Sequence, residues 1–268
     1  MNDILRFRIA IQTMKEYWKT SIIITLLFVM MTFMYAGMFP QFEESLLEMM
    51  QAGVLEDYTF MAHADQMHTY IGFLTLELYD IFLLMILAIM IGFVAASSIT
   101  KEIEGKTIDI LMSNPISRKQ IVFEKFIGLI PMLLIINFFI MFSVMGVTAA
   151  IDQELDFVNL FLLHCILILY FLAIVSIGIL VSVVFNEKMK ASIIMIIFPF
   201  AMFFINSISL MTPDIEYAKS FTMFNYLDSF SVLKFGEVDI AGVWVFIAII
   251  STCLTISLIY FEHKDIQV

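Results

Sequence analysis

Six long uncharged stretches divide the chain into apolar and polar parts. They cover residues 20–42, 81–100, 126–151, 157–186, 191–213 and 240–261, and the next longest, 66–76, has 11 residues. A helix needs about 20 apolar residues to cross a hydrocarbon core of about 30 Å. All six stretches reach that length, so they are predicted to be six transmembrane helices. Their apolar residues are continuous rather than alternating, which favours helices over the strands of a barrel.

The composition is typical of a membrane protein and excludes an ordinary soluble one. Of 268 residues, 62% are hydrophobic and 15% are charged, whereas soluble domains are about 45–50% apolar and about 25% charged. The 28 phenylalanines exclude a disordered chain. Cys165 and Cys253 each lie inside an apolar stretch, so neither a disulfide framework nor a metal knuckle is expected. The predicted fold is an all-α integral membrane protein with a single domain over residues 1–268.

The basic residues predict the orientation of the chain. Twelve of the 14 Lys and Arg residues lie in 1–19, 101–125, 187–190 and 262–268, which the six spans bring to one side. Only Lys219 and Lys234 fall on the opposite side, where the first loop, 43–77, carries seven acids and no base. Since basic loops stay in the cytoplasm, both termini are predicted to be cytoplasmic. The net charge of −11 comes mostly from the external loops and argues against nucleic-acid binding.

Two segments outside the spans have helical patterns of apolar residues. Residues 4–18 carry the stripe Ile4, Phe7, Ile11, Met14 and Trp18 beside a basic face, which predicts an interfacial helix on the cytoplasmic surface. The alternative for 4–18 is a soluble cap packed on the loops. External residues 214–241 follow Pro213, a helix-start signal, and carry Phe221, Phe224, Leu227 and Phe230 at helical spacing. This segment either re-enters the membrane or rests on the outer surface as a helix.

The cytoplasmic segment 101–125 is the most distinctive polar part of the sequence. A charged Gly/Thr turn is followed by an apolar, helix-like stretch at 108–112, a Ser-Asn-Pro stop at 113–115 and a basic restart at Arg118. A short helix between two spans would let a cytoplasmic partner push on them. The alternative is a solvated loop that only obeys the positive-inside rule.

This segment resembles the cytoplasmic loop of ABC-2 type transporter permeases. The shared pattern, from 102 to 118, is Glu-x-Glu-Gly-x-Thr-Ile-Asp-Ile-Leu-x-Ser-x-Pro-Ile-Ser-Arg, and Lys125 follows. The ending Phe-Glu-His-Lys-Asp-Ile at 261–266 is similar to the Phe-x-x-Arg-Asp-Ile tail of that family. Two positions depart from the usual pattern, because Lys106 separates Gly105 from Thr107 and Lys264 stands where Arg is commoner. The six spans and the N-terminal surface helix fit the same family, so the resemblance covers the whole chain.

The resemblance implies a membrane-spanning permease subunit of an ATP-driven exporter in the cell membrane, not an enzyme. Cytoplasmic ABC ATPase subunits and a second permease, identical or related, would be its partners in a lipid bilayer. ATP and Mg²⁺ would bind to the ATPase, so no cofactor is expected on this chain. The residues implied to couple the ATPase to the spans are Glu102, Glu104, Gly105, Thr107, Ile110, Leu111, Pro115 and Arg118. The substrate is expected to be hydrophobic or amphipathic.

Polar residues inside the spans are the candidates for a substrate path. Asn137, His164 and Asn206 are costly in lipid, so they are expected to face the bundle interior, a cavity or a permease–permease interface. They either contact the substrate or form hydrogen bonds between helices. Such a bond is worth about 0.6 kcal/mol on average, so replacing Asn137 or Asn206 with Leu is expected to leave folding nearly intact.

Two other site motifs are weak. The loop residues His63, Asp65 and His68 include three possible metal ligands, but a solvated loop is the simpler interpretation. Gly105-Lys106-Thr107 ends like a phosphate-binding loop, yet Thr100 stands where that motif requires Gly, so nucleotide binding is not expected there.

Two other functional classes, an ion-coupled secondary transporter and a membrane-embedded enzyme, fit the sequence less well than a permease. An ion-coupled secondary transporter usually has carboxylates within its spans, and every Asp and Glu lies outside the six uncharged stretches. A membrane-embedded enzyme is disfavoured because no catalytic motif occurs.

Overall fold

The computed structural model describes residues 7–54, 62–108 and 116–264. Within these ranges the chain forms helices, turns and irregular segments and has no strand. The helices are α1 (Arg8–Gln51), α2 (Tyr70–Glu104), α3 (Arg118–Ala150), α4 (Phe157–Val184), α5 (Lys188–Met211), α6 (Ser229–Phe235) and α7 (Ile240–His263). All except α6 are long and apolar enough to cross a membrane. The prediction of six spanning helices is therefore confirmed by length and composition.

Successive long helices run in opposite directions, so their termini gather at two ends of the bundle. Among the described residues, the "basic end" comprises 7–20, 101–108, 116–125, 185–190 and 259–264, and the "acidic end" comprises 43–54, 62–80, 151–157 and 212–240. Each end is a cluster of helix termini and connections. The predicted residues Ile110, Leu111 and Pro115 lie outside the described residues.

Helix α1 is continuous over 44 residues, a length of about 66 Å at 1.5 Å per residue. The sequence predicted a separate interfacial helix over 4–18, but the structure has no break near residue 19. The reason is local, because Pro40 is the first helix-breaking residue in α1 and nothing near Lys19 can end a helix. Of the predicted stripe, Phe7, Ile11, Met14 and Trp18 are exposed, and Ile4 lies outside the described residues.

Helix α2 contains an unusual π-helical segment. It begins with an α-helical turn at Tyr70–Phe73, continues as a π-helix over Leu74–Leu87, and returns to an α-helix over Ala88–Glu104. A π-helix is usually a single turn and often marks a functional site. This one places Glu77 and Asp80 within the second membrane-spanning helix, one turn or more after its start.

Helix α4 lies at the centre of the bundle, against α2, α3 and α7. Small residues allow two of the closest helix crossings. A β-carbon at Gly178 of α4 would lie 2.6 Å from the Ala95 β-carbon of α2, and one at Gly128 of α3 would lie 2.7 Å from the Ala10 carbonyl oxygen of α1. Close approach at small residues is the usual way in which membrane helices pack.

The segment between α5 and α7 covers the acidic end in short pieces. It contains 3₁₀ turns at Pro213–Phe221 and Phe224–Tyr226 before α6. Pro213 starts the first turn as predicted, and the apolar residues of 214–241 are distributed over several short helical pieces rather than one helix. The backbone is extended at Thr222 and Leu227, which interrupts the helix. Phe224, Leu227 and Phe230 are buried, whereas Phe221 is 77% exposed.

Candidate functional site

A buried ion pair joins α2 to α3 at the basic end. The Lys125 ammonium donates to Glu102 Oε1, and the two side chains are only 2% and 13% exposed. Glu102 Oε2 is buried and has no hydrogen-bond partner among the described residues. Removing either partner from such a pair would leave a buried charge without compensation, which is strongly unfavourable.

The first turn of α1 is attached to the same region of α3. Glu124 is 1% exposed, and its Oε2 accepts hydrogen bonds from the backbone N–H groups of Ile9 at 2.8 Å and Ala10 at 3.2 Å. The first N–H groups of a helix have no partner within the helix, and its N-terminus favours a negative charge. Gln120 Nε2 donates to the other Glu124 oxygen at 2.6 Å. The carboxylate therefore caps α1 from the neighbouring helix.

The last residue of α2 connects it to α5, and a tight turn follows. Glu104 Oε2 accepts a hydrogen bond from the Lys188 backbone N–H at 2.9 Å, at the first residue of α5. The Thr107 N–H and hydroxyl both donate to the Glu102 carbonyl oxygen, at 2.9 and 3.3 Å. Lys106 adopts a left-handed φ of 53° in this turn. The predicted residues Glu102, Glu104 and Thr107 thus form one compact turn, and Gly105 lies within it.

Arg118 and Lys264 attach the end of α7 to the same region. Arg118 donates through Nη1 to the carbonyl oxygens of Lys264 and, at 3.4 Å, Phe261. Lys264 Nζ donates to the carbonyl oxygens of Val183 at 2.7 Å and Val184 at 3.2 Å, the last residues of α4. Burial lowers the pKa of Lys264. A cation at a helix C-terminus meets carbonyl groups without helical partners, so this contact stabilises the end of α4.

The basic end is therefore one network that includes residues from every long helix or its terminus. Glu102, Glu104, Thr107 and Arg118 are the predicted residues that it contains. Sequence reasoning did not assign roles to Glu124, Lys188 or Lys264. The available signal was their position beside long uncharged stretches, where a charge is costly unless the protein pairs it.

A second polar cluster lies inside the bundle between α2, α3 and α4. Asn137 and His164 are 2% and 0% exposed, which confirms that they face the interior. His164 Nδ1 lies 3.0 Å from Asn137 Oδ1, and Asn137 Nδ2 donates to the His164 carbonyl oxygen at 3.1 Å. His164 Nε2 lies 3.1 Å from the Tyr79 hydroxyl. Every polar atom of the two side chains is paired, which supports the structural interpretation of these residues.

Asn206 lies apart from that cluster. It lines a cavity of about 180 Å³ between α2, α5 and the acidic end, together with Asp80. Its Oδ1 accepts a hydrogen bond from the Thr222 hydroxyl at 3.1 Å. The three proposed substrate-path residues are thus not brought together in one place. The uncharged stretches alone suggested that the membrane-spanning helices contain no carboxylate. Asp80 shows that the apolar helix α2 does contain carboxylates, although they lie outside the uncharged stretch itself.

His63 pairs with the acidic-end segment rather than with its neighbours in sequence. Its Nε2 lies 3.1 Å from Asp228 Oδ2, and this hydrogen bond raises the pKa of His63. Burial acts to raise the pKa of Asp228, but hydrogen bonds from His63 and Ser231 prevail and hold it at about 2. His68 instead contacts the Asp65 backbone carbonyl oxygen at 2.8 Å. The described residues contain no group of three His, Cys, Asp or Glu side chains suited to a metal ion.

Comparison with known families assigns the chain. A family model described as "ABC-2 family transporter protein" matches residues 10–266. The chain belongs to the ABC-2 transporter family. The match includes nearly all of the six long helices, and it confirms the resemblance first seen in residues 102–118 of this permease. A search of curated proteins finds no match to the sequence. The family is one of transport membrane proteins, so the network at the basic end is the candidate coupling site of an ABC-2 permease.

Proposed function

We propose that the chain is the membrane-spanning subunit of an ATP-driven exporter, and that the basic end receives a separate cytoplasmic ATPase. The described part of segment 101–125 is bonded directly to three other parts of the chain and indirectly to a fourth, and this connection carries the proposal. Glu124 holds the start of α1, Glu104 the start of α5, and Arg118 the end of α7. Through Lys264, the last turn of α4 is included as well. A force applied to this segment would reach all of these helices.

The proposed mechanism is a shift between two arrangements of the bundle. ATP would close the ATPase dimer, which would displace the 102–118 segment and the helix termini bonded to it. Helices α1, α4 and α5 would then move with α2 and α3, and the bundle would change from inward-facing to outward-facing. ATP and Mg²⁺ would bind to the ATPase, and this chain would supply the lever. The buried Glu102–Lys125 pair would transmit the movement because it joins the two helices that flank the segment.

The proposed orientation places the basic end in the cytoplasm. It follows from the distribution of Lys and Arg, since 12 of 14 lie in residues 1–19, 101–125, 187–190 and 262–268. A second permease, identical or related, would complete the membrane domain. Helices α5 and α7 bury little of their surface within one chain, and their exposed apolar residues include Phe200, Phe204 and Trp244. These faces are available to lipid, to a second permease and to a hydrophobic or amphipathic substrate.

The test uses the apolar part of the segment. Replacing both Ile110 and Leu111 with Asp should abolish co-purification of the ATPase, because an unpaired charge at an interface costs several kcal/mol. The control is Phe221→Asp, which changes an exposed residue at the opposite end and should leave association intact. Membrane insertion of both variants is checked by fractionation. Full ATPase association and transport by the double variant would show that the ATPase binds elsewhere.

A further inference from the structure

A partly enclosed cavity at the acidic end is not used by the coupling mechanism. Its volume is about 180 Å³, and its walls come from residues 62–63, α2, α5 and the segment between α5 and α7. A cavity of about 150 Å³ is large enough to admit benzene. The acidic-end cavity can therefore hold a small organic group rather than only one or two water molecules.

The charged residues around this cavity differ in whether they have an ion-pair partner. Asp228 pairs with His63 at 3.1 Å, and Lys219 donates to Glu216 at 2.7 Å. Asp80 accepts one hydrogen bond from the Ser229 hydroxyl at 3.2 Å, and within the described residues it forms no ion pair. His63 and Lys219 also line the cavity, but each is paired with another carboxylate, so Asp80 is the lining carboxylate that forms no ion pair among the described residues. A buried carboxylate in that position favours a cation.

The remaining walls distinguish between kinds of cation. Phe203 and Phe224 line the cavity with their ring centroids 5.7 Å apart, and Ile81, Leu84 and Leu210 add apolar surface. Hard metal ions need six or more oxygen ligands, some of them water, and the described residues contain no group of three His, Cys, Asp or Glu side chains that could hold one here. An organic ammonium group instead needs a carboxylate and aromatic rings, as in the aromatic cages that bind quaternary ammonium ligands.

We infer that this cavity binds a small organic ammonium group, with Asp80 as its counter-ion and Phe203 and Phe224 as its aromatic walls. The Asn206 amide, which also lines the cavity, offers a further polar contact to a substituent of the ligand. This inference does not depend on which partner drives transport. It concerns recognition at the acidic end, whereas the ATPase is proposed to act at the basic end.

The test measures binding of tetramethylammonium to the full purified chain in detergent. Equilibrium dialysis with radiolabelled tetramethylammonium gives the affinity, and neopentyl alcohol, which has a similar shape and no charge, serves as competitor. Asp80→Asn keeps the size of the side chain and an acceptor for Ser229, and it should weaken binding about tenfold or more, because it removes the negative charge that attracts the cation. Asp214→Asn is the control, because Asp214 is exposed and does not line the cavity. It should bind as the unmodified protein does.

Phe203→Leu provides a second variant that retains the Asp80 charge. It should weaken tetramethylammonium binding several-fold while leaving the elution profile on gel filtration unchanged, which keeps the inference testable if Asp80→Asn fails to fold. The inference is overturned if the unmodified protein binds no tetramethylammonium at millimolar concentration. It is also overturned if neopentyl alcohol competes equally well, or if Asp80→Asn and Phe203→Leu both bind as tightly as the unmodified protein.

Discussion

The buried pair between Glu102 and Lys125 allows a quantitative test of the network. Replacing Lys125 with Met removes the cation and leaves the Glu102 carboxylate buried, with Oε2 already lacking a partner among the described residues. Breaking a buried pair in this way costs about 3–5 kcal/mol. For a chain of this size about 1 kcal/mol lowers the melting temperature by about 2–4 °C, so a decrease of roughly 6–20 °C is expected. The measurement is thermal unfolding of the purified protein in detergent, followed by gel filtration with fluorescence detection.

Two comparisons separate the pair from a general loss of charge. Lys190→Met removes one partner of the exposed Lys190–Glu187 pair, whose side chains are 62% and 56% exposed, and should cost less than about 1 kcal/mol. The double variant Glu102→Leu/Lys125→Met removes both buried charges and should recover most of the lost stability. The reasoning is refuted if Lys125→Met melts within 2 °C of the unmodified protein, or if the double variant is as unstable as the single one.

Three further outcomes are expected. A cysteine in place of Glu48 should react with an impermeant thiol reagent outside intact cells and one in place of Lys188 should not; the reverse pattern would invert the orientation. Asn137→Leu should cost about 1–3 kcal/mol in thermal unfolding, more than sequence reasoning expected, because it leaves the buried partners of Asn137 unpaired; an unchanged melting temperature would contradict this. His63→Asn should destabilise the protein most between about pH 4 and 6.5, where the ion pair with Asp228 contributes fully to stability. Because the pKa of His63 is raised, its contribution is complete below about pH 6.5 and is lost as the pH rises. Because the pKa of Asp228 is lowered, its contribution is complete above about pH 4 and is lost as the pH falls. A loss that is the same at pH 5.5 and pH 8.5 would rule out this pair as its cause.

The six helices could be predicted because lipid imposes a simple rule on composition and length. The ends of the helices could not be predicted in this way, because hydrogen-bond and ion-pair partners from other helices allow charged residues to be included. The uncharged stretch 126–151 omits Glu124 and Lys125, yet α3 begins at Arg118 because α1 and α2 neutralise those charges. In the same way, α1 continues through residue 19 because nothing in the sequence forces it to stop.

The candidate sites were predictable in part. The cost of a polar group in lipid was enough to predict that Asn137 and His164 point inward. Their mutual hydrogen bonds depend on which helices are neighbours, and one sequence does not contain that information. The position of Asp80 inside a helix was not predicted, because in the sequence it is the last charged residue before an uncharged stretch. In the structure it lies within α2, in the π-helical segment. The pairing of His63 with Asp228 joins residues 165 positions apart, which no local pattern reveals.

The length of α1 has a mechanical consequence for any movement of the bundle. At about 66 Å it is about twice as long as the hydrocarbon core is thick, so a rotation of about 5° around its midpoint displaces each tip by about 3 Å in opposite directions. The tip at the basic end is fixed to α3 by Glu124. If the helix rotates as a rigid body, its two tips move in opposite directions at the same time, and no rearrangement of the side chains between them is needed. Pro40 removes one backbone hydrogen bond from the acidic-end half, which makes that arm the more compliant of the two.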